Sequence, residues 1–365
     1  MPAIFASRRV RRTPFTPGNE AAGVSVYTVY NRMLLPAAFG SLVEDCHHLK
    51  TAVQVWDVAC ERQVEINGPD AARLMALISP RDIGAMQIGQ CAYLPVVDAE
   101  GGMLNDPVTL KLSPDRFWIS IADSDLHLWV KGIATALGLN VAVFEPDVSP
   151  LAIQGPKADD LAAAVFGEGV RSIRFFRFAP VVFEGRTHII ARSGYSKQGG
   201  YELYLDGTEY GMAIWDALFE AGKEMDVRAG CPNLIERVEG GLLSYGNDMT
   251  QANNPYECGL GKYITSTAPF IGKAALDRVA LEGHQQEIRP IAISGPPVPP
   301  CDRSWPLDQG GLAAGQVTSA AFSPDQQTNV AIGMVARSHW DAGTMLTVTT
   351  PDGPREATVM PRFWK

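Results

Sequence analysis

The sequence predicts an α+β protein in which mixed helices and strands are followed by a small C-terminal β domain. Glycine and proline are frequent, at 35 and 26 of 365 residues, which favours a turn-rich chain over a helical bundle. Helical and strand patterns alternate up to residue 284, and short strand-like runs between glycine and proline turns make up the remainder. The length also indicates more than one domain.

The clearest helix signal lies at residues 41–54, where Ser41 and Glu44 have the spacing of a capping box. Residues 345–350 and 356–362 flank a Pro-Asp-Gly-Pro turn and predict a hairpin. Further helices are predicted at 70–78, 123–137, 209–222 and 233–244, and strands at 91–98, 107–112, 117–122, 179–184, 187–192 and 201–205.

Charge and composition exclude several classes of function. The net charge of −9 argues against nucleic acid as a partner, and no apolar run approaches the roughly 20 residues that span a bilayer. Six dispersed cysteines without a CxxC pair fit a reducing cytoplasm, where we expect the protein to act. The adjacent Cys46, His47 and His48 lack the spacing of metal ligands, so we expect no metal site.

Common catalytic signatures are missing from the sequence. There is no Walker A loop, no G-x-G-x-x-G on a strand-to-helix turn, no G-x-S-x-G elbow and no H-E-x-x-H pair. Nicotinamide, flavin and serine-hydrolase chemistry are therefore disfavoured. The remaining chemistry lies in acidic groups on glycine-rich turns.

Three such segments stand out, and each also has a purely structural interpretation. In GGMLNDPV (101–108), Asp106 either caps a turn or presents a reactive carboxylate. In SGYSKQGGYELYL (193–205), strand alternation puts Glu202 and Tyr204 on one face, where the carboxylate could bind the N–H edge of an amidine-like ligand. In the segment 236–264, Arg237 is either an anion contact or an ordinary helix residue.

Taken in order, these segments resemble the aminomethyltransferase family, which includes the T-protein of the glycine cleavage system. The similarity covers nearly the whole chain. GGMLNDPV matches the turn with the family's aspartate, SGYSKQGGYEL its glycine-tyrosine and glycine-aromatic-glutamate motif, and RVEGGLLSYGNDMT its arginine and tyrosine-glycine-asparagine-aspartate block. QVWDVACERQVEINGPDA (54–71), PFIGKAAL (269–276) and GQVTSAAFSP (315–324) match further family segments.

The resemblance implies a three-domain T-protein-like fold with mixed and antiparallel sheets and a C-terminal β-barrel or jelly roll around a central folate hole. The implied domains are residues 1–52 with 142–245 for folate binding, 53–141 as a second α+β folate-binding domain, 246–284 as a connecting segment, and 285–365 as the C-terminal β domain.

Within the family, the N-terminal third is most similar to the sulfonium demethylases. This similarity lies in RRTPF (11–15), GVSVYTVYNRMLLP (23–36) and WISIADSDLHLWVKG (118–132). It implies tetrahydrofolate-dependent demethylation of dimethylsulfoniopropionate, with the methyl group moving from sulfur to N5. Asn105 and Lys197–Gln198 depart from the T-protein pattern, which disfavours aminomethyl chemistry.

The resemblance also implies roles for single residues. We expect Asp106 to be catalytic and Glu202, Phe175, Arg237 and Tyr195 to bind the folate. Tyr204, Tyr30 and Trp118 are candidates for an aromatic wall beside the sulfonium, which cation–π attraction favours. The expected partner is a small sulfonium carboxylate, and a homodimer is a further possibility.

Three alternatives remain open at this stage. The first is a glycine-cleavage-type aminomethyltransferase, and the second is another folate-dependent N- or O-demethylase of the same fold. The third is a non-catalytic folate-binding protein such as an iron–sulfur assembly factor. Those factors usually carry a Lys-Gly-Cys-Tyr-x-Gly-Glu motif, and the comparable stretch here has Cys258 without that pattern.

Overall fold

A computed structural model describes residues 7–365; residues 1–6, which begin the first predicted domain segment, lie outside this range. The α-helices of the described chain are α1 Thr16–Ala21, α2 Leu42–Thr51, α3 Ala71–Ile78, α4 Leu126–Ala136, α5 Ala158–Phe166, α6 Gly211–Ala221, α7 Leu234–Glu239 and α8 Lys273–Glu282. Its strands are β1 Val26–Tyr30, β2 Met33–Ala38, β3 Val53–Asp57, β4 Gln63–Asn67, β5 Cys91–Tyr93, β6 Val96–Val97, β7 Met103–Asn105, β8 Val108–Ser113, β9 Arg116–Ser120, β10 Ala142–Phe144, β11 Val148–Gln154, β12 Phe178–Phe183, β13 Arg186–Ala191, β14 Gly200–Asp206, β15 Val227–Gly230, β16 Gln286–Ile293, β17 Trp305–Gln309, β18 Leu312–Ser323, β19 Thr328–Ala336, β20 Met345–Thr350 and β21 Gly353–Val359.

The chain divides into two compact units. The first takes in the chain up to Ala72 together with Met86–Ala92 and Pro107–Asn233, and the second consists of Arg73–Ala85, Tyr93–Asp106 and Leu234–Lys365. The four-part division expected from the sequence has other boundaries and stays a prediction.

A six-stranded mixed sheet of order β12-β13-β14-β11-β3-β15 is the centre of the first unit. All of its neighbouring strands run antiparallel except β15, which pairs in parallel with β3. Helices α5 and α6 cover one face with a core that includes Leu161, Trp215 and Leu218. The edge strand β12 carries Pro180 and exposes Val182. A second sheet has the order β10-β4-β9-β8-β5.

The second unit contains a closed six-stranded barrel of order β16-β19-β18-β17-β20-β21. Its interior is filled by apolar side chains from every strand, among them Trp305, Val317 and Val348. Closure leaves no unpaired strand edge in the barrel. The hairpin predicted around the Pro-Asp-Gly-Pro turn is confirmed as β20 and β21.

The α+β class with a C-terminal β domain is confirmed, and the barrel form replaces the jelly roll that the sequence left open. The capping box at Ser41 and Glu44 is also present. The helix predicted at 233–244 is too long, because α7 ends at Glu239. Gly241 then takes a φ of +64°, and the Phe363 ring occupies the space where a Cβ would lie.

The strand predicted at 91–98 is also wrong in extent. It divides into β5 and β6, and β6 pairs with β7 across the glycine turn. Among residues 7–365, none of the helices is long and apolar enough to cross a membrane.

Candidate active site

Glu202 lies on β14, between β13 and β11 in the six-stranded sheet. The alternation predicted for this strand is confirmed: Tyr201 packs in the core under the helices, while Tyr204 packs on the opposite face with Trp118. Both neighbouring strands supply main-chain hydrogen bonds, so the backbone beneath Glu202 is held on two sides. The fold therefore presents Glu202 from a rigid element.

The two carboxylate oxygens of Glu202 have different surroundings. Oε2 accepts hydrogen bonds from Ser193 Oγ at 2.5 Å and from the Tyr204 hydroxyl at 3.4 Å. No described residue donates to Oε1, and the side chain is only 6 % exposed. Burial raises the pKa of Glu202, and the two hydroxyls lower it in part. Oε1 is thus the candidate acceptor for a ligand.

The loop 193–200 that carries Ser193 and Tyr195 is fixed by the buried Gln154. The Gln154 side-chain amide donates to the carbonyls of Ser193 and Tyr201, each at 3.3 Å, and accepts from Ser196 Oγ at 2.7 Å. Gly194 has a φ of +153°, and a Cβ there would lie about 2.1 Å from the Gln154 amide. A Cβ at Gly200 would also lie within 3 Å of the Gln154 amide, so both Gly194 and Gly200 allow the backbone to pack closely against Gln154.

An aromatic cluster lies on the Tyr204 face of β14 within the first unit. The Trp118 and Tyr204 rings are 6.2 Å apart, and both are buried. Phe176 belongs to the same cluster, and its neighbour Phe175 projects a ring that is 73 % exposed and 4.7 Å from that of Phe176. Phe175 therefore presents an exposed aromatic ring next to the partly buried ring of Phe176.

Tyr30 ends strand β1, immediately before a tight hairpin turn. Asn31 takes a φ of +49° and donates its side-chain amide to the carbonyls of Cys60, Ile121 and Ala122 at 3.0–3.3 Å. Its backbone N–H donates to Asp123 Oδ1 at 2.7 Å. The hairpin tip is thus fixed to the end of the strand that contains Trp118.

Asp106 lies in the second unit, between β7 and β8. Its Oδ2 accepts a 2.5 Å hydrogen bond from the Tyr93 hydroxyl, and Oδ1 is buried without a partner among the described residues. Burial raises the pKa of Asp106 to about 7, and the nearby Asp248 charge adds to the shift while Tyr93 opposes it. A buried acceptor without a partner is costly, so Oδ1 is a candidate ligand position.

Tyr93 was missed by the sequence analysis. It lies 13 residues before Asp106 on another strand, and no local pattern links the two. Its ring packs edge to face with Tyr263, with centroids 5.3 Å apart and an interplanar angle of 60°, and Arg81 donates to its carbonyl oxygen at 2.8 Å. The hydroxyl that holds Asp106 is therefore itself firmly positioned.

Arg237 is buried in a network of its own in the second unit. It donates to Asp248 Oδ2 at 2.8 Å and to Ser319 Oγ at 2.7 Å, and Ser319 and Thr318 both donate to Asp248 Oδ1. The network joins α7 to the barrel strand β18. Folate binding by Arg237 stays a prediction, but these contacts favour a structural role.

Two family models together cover almost all of this chain. The GCVT N-terminal domain matches residues 16–267, and the glycine cleavage T-protein C-terminal barrel domain matches residues 291–364. The chain belongs to the glycine cleavage T-protein family. The barrel found in the structure coincides with the second of these matches.

Relatives within the T-protein family differ widely in their similarity to this member. Dimethylsulfoniopropionate demethylase DmdA of Ruegeria pomeroyi is 61 % identical over 365 residues, which is all of both chains. An aminomethyltransferase of Thermotoga maritima is 26 % identical over 349 residues, or 94 % of each chain. The crystal structure of glycine cleavage system aminomethyltransferase T from Bartonella henselae matches with a TM-score of 0.87 at 21 % identity, covering 98 % of each chain.

Proposed function

We propose that this protein is an enzyme that demethylates dimethylsulfoniopropionate, with tetrahydrofolate as the methyl acceptor. The observation that carries the proposal is the full-length identity of 61 % to the Ruegeria demethylase, against 26 % to the Thermotoga aminomethyltransferase. Tetrahydrofolate supplies N5 as the nucleophile that takes the methyl group. The products are 5-methyltetrahydrofolate and 3-(methylthio)propionate.

Glu202 is proposed to orient the pterin. Its Oε1 is free to accept an N–H from the pterin edge, while Oε2 is held by Ser193 and, at longer range, by Tyr204. A hydrogen bond to a charged group contributes about 1.5–3 kcal/mol, which is enough to fix a ring orientation. The exposed ring of Phe175 and the nearby Tyr195 are proposed to pack against the folate.

Asp106 is proposed to face the chemistry. Positive charge moves from sulfur to nitrogen during methyl transfer, and a fixed carboxylate in a buried setting stabilises that charge. With a pKa of about 7, the Asp106 carboxylate is ionised in a large fraction of molecules at neutral pH, and its Oδ1 can then take the proton released from the nitrogen. The sulfonium is a good leaving group, so no acid is required to expel the thioether.

The aromatic wall remains part of the proposal. Tyr30 is the candidate for direct contact with the sulfonium, because it is only partly buried. Trp118 and Tyr204 are nearly inaccessible, and a supporting position behind the ligand suits them better. A cytoplasmic location and a homodimer also remain proposals, supported only by the sequence.

The reaction itself tests the function. Purified protein is incubated anaerobically with tetrahydrofolate and dimethylsulfoniopropionate, and both products are measured by chromatography. We expect the two products to form in equal amounts and only when both substrates are present. Turnover of methylamine donors or a lipoyl carrier, with none of the sulfonium, would instead establish the aminomethyltransferase or N-demethylase alternative.

A further inference from the structure

The Tyr204 hydroxyl lies among buried polar groups within the first unit. It donates to Glu202 Oε2 at 3.4 Å. Ser120 Oγ accepts from Gln63 Nε2 at 2.9 Å and donates to Glu61 Oε2 at 3.2 Å. The Ser120 hydrogen is therefore committed to Glu61, and the Tyr204 hydroxyl hydrogen is left for Glu202.

The groups that face Tyr204 keep it protonated. Burial raises the pKa of Tyr204 well above its ordinary value, and the charges of Glu202, Cys91 and Glu61 raise it further. The Cys91 thiol, which also faces Glu202, has its own pKa raised by burial and by the Glu202 charge. Tyr204 is therefore a neutral phenol that can only donate to the carboxylate over the physiological pH range.

We propose that Tyr204 is a positioning residue that holds Glu202 ionised and correctly oriented, through Oε2, so that Oε1 is left for the pterin. This inference rests on the proposed folate site. A hydrogen bond to the charged form of an acid favours that form. Ser193 supplies the first such bond and Tyr204 the second, and among described residues no cation forms a salt bridge with Glu202.

Loss of the Tyr204 hydroxyl would affect folate binding through the protonation state of Glu202. A protonated Glu202 would present an O–H to the pterin N–H groups, so that donor would face donor. Without Tyr204 the ionised form loses stabilisation, and the pKa of Glu202 rises further above its ordinary value. Folate binding then weakens, and it weakens most on the acid side of neutrality.

The test is the Tyr204→Phe variant, which removes a single oxygen atom. The dissociation constant of 5-methyltetrahydrofolate is measured by calorimetry between pH 5.5 and 9. We expect binding to be weaker by about 3- to 10-fold at pH 7, the size of one hydrogen bond, with the acid midpoint of binding moved upward.

The same strand offers a matched control. Tyr201 is equally buried on the opposite face of β14, and its hydroxyl donates to the Val170 carbonyl at 3.2 Å. Tyr201→Phe should alter thermal stability without moving the acid midpoint. An equal shift in both variants would mean general loosening of the strand and would overturn the proposal.

A double variant separates an action through Glu202 from any other. In a Glu202→Gln background, Tyr204→Phe should have no further effect on folate affinity, because the titrating group is gone. The positioning role of Tyr204 would be refuted if the two substitutions had additive effects on folate affinity. It would also be refuted if a folded Tyr204→Phe variant kept the wild-type acid midpoint of binding. Neither result would bear on the folate site itself. Failure of the wild-type protein to bind 5-methyltetrahydrofolate at all would refute the folate site itself, which is a distinguishable result.

Discussion

Glu202 is a buried carboxylate and Asp106 a partly buried one, and their hydrogen-bond surroundings differ. Glu202 has two hydroxyl donors on one oxygen, and the residue as a whole is 6 % exposed. Asp106 has one donor, Tyr93, and its second oxygen is sealed from solvent without a described partner. The first arrangement suits stable recognition of a donor, and the second leaves a carboxyl group able to change its protonation near neutral pH.

Asp248 is a third carboxylate with which Glu202 and Asp106 can be compared. It is also buried, but it pairs with Arg237 and accepts two hydroxyl hydrogen bonds. A paired and hydrogen-bonded carboxylate is the usual structural solution for a buried charge, so Asp248 needs no functional explanation. Neither Glu202 nor Asp106 pairs with a cation among the described residues, which supports the binding roles proposed for them.

The largest expected effect belongs to Asp106→Asn. If this carboxylate stabilises charge and accepts a proton, kcat should fall by about 10²- to 10⁴-fold. The dissociation constant of tetrahydrofolate should change by only a few-fold, because the amide keeps the shape of the side chain. Steady-state kinetics and calorimetry on the same preparation check both, and turnover within a few-fold of wild type would remove Asp106 from the chemistry.

Arg237→Met should affect stability instead of recognition. Removing one partner of a buried ion pair leaves the other charge uncompensated, which costs about 3–5 kcal/mol. We expect a lower thermal unfolding midpoint, with the folate dissociation constant of the folded protein almost unchanged. A loss of folate affinity without a loss of stability would restore the folate-binding role predicted for Arg237.

Glu202→Gln should weaken tetrahydrofolate binding by about 10- to 100-fold, the size of one charge-assisted hydrogen bond. The thermal midpoint should not fall, because the amide no longer requires a buried charge. Calorimetric titration measures the affinity, with Glu65→Gln as a control on a carboxylate that already pairs with Arg116. Equal losses of folate affinity in both variants would contradict a specific role for Glu202.

The smallest expected effect is on the pH dependence of stability. The pKa of Asp106 is raised from 3.8 to about 7 in the folded protein, so its contribution to stability is fully present below about pH 4 and is lost as pH rises through 7. Asp106→Asn should therefore raise the thermal midpoint at pH 8 relative to wild type, by about 2–4 °C. The gain should vanish at pH 4, and a constant gain across this range would mean that Asp106 is not shifted.

The sequence was informative where local rules determine structure. The capping box at Ser41 and the alternation that separates Tyr201 from Glu202 were both predictable, because each depends on neighbours a few residues apart. The family resemblance supplied Asp106, which spacing alone left open. Tyr93 could not be found in this way, since only the tertiary fold brings its hydroxyl to Asp106.

Two further residues show the same limit. Ser193 stood within the predicted glycine motif, but nothing in its spacing indicated that it donates to Glu202. Arg237 was predicted from its motif to bind a ligand, and only its contacts reveal that its two terminal nitrogens already donate to Asp248 and Ser319. Burial and competition between partners are tertiary properties, so single-sequence patterns do not report them.

The edge strand β12 affects the tendency of copies of this protein to pair edge to edge. It is the outer strand of the six-stranded sheet, and Val182 on it is 66 % exposed, a surface on which a foreign strand could assemble. Pro180, in the middle of the strand, has no N–H to offer such a strand. Pro180 thus disfavours the addition of a strand from another copy of the protein to this apolar edge, which lowers the tendency to form fibres.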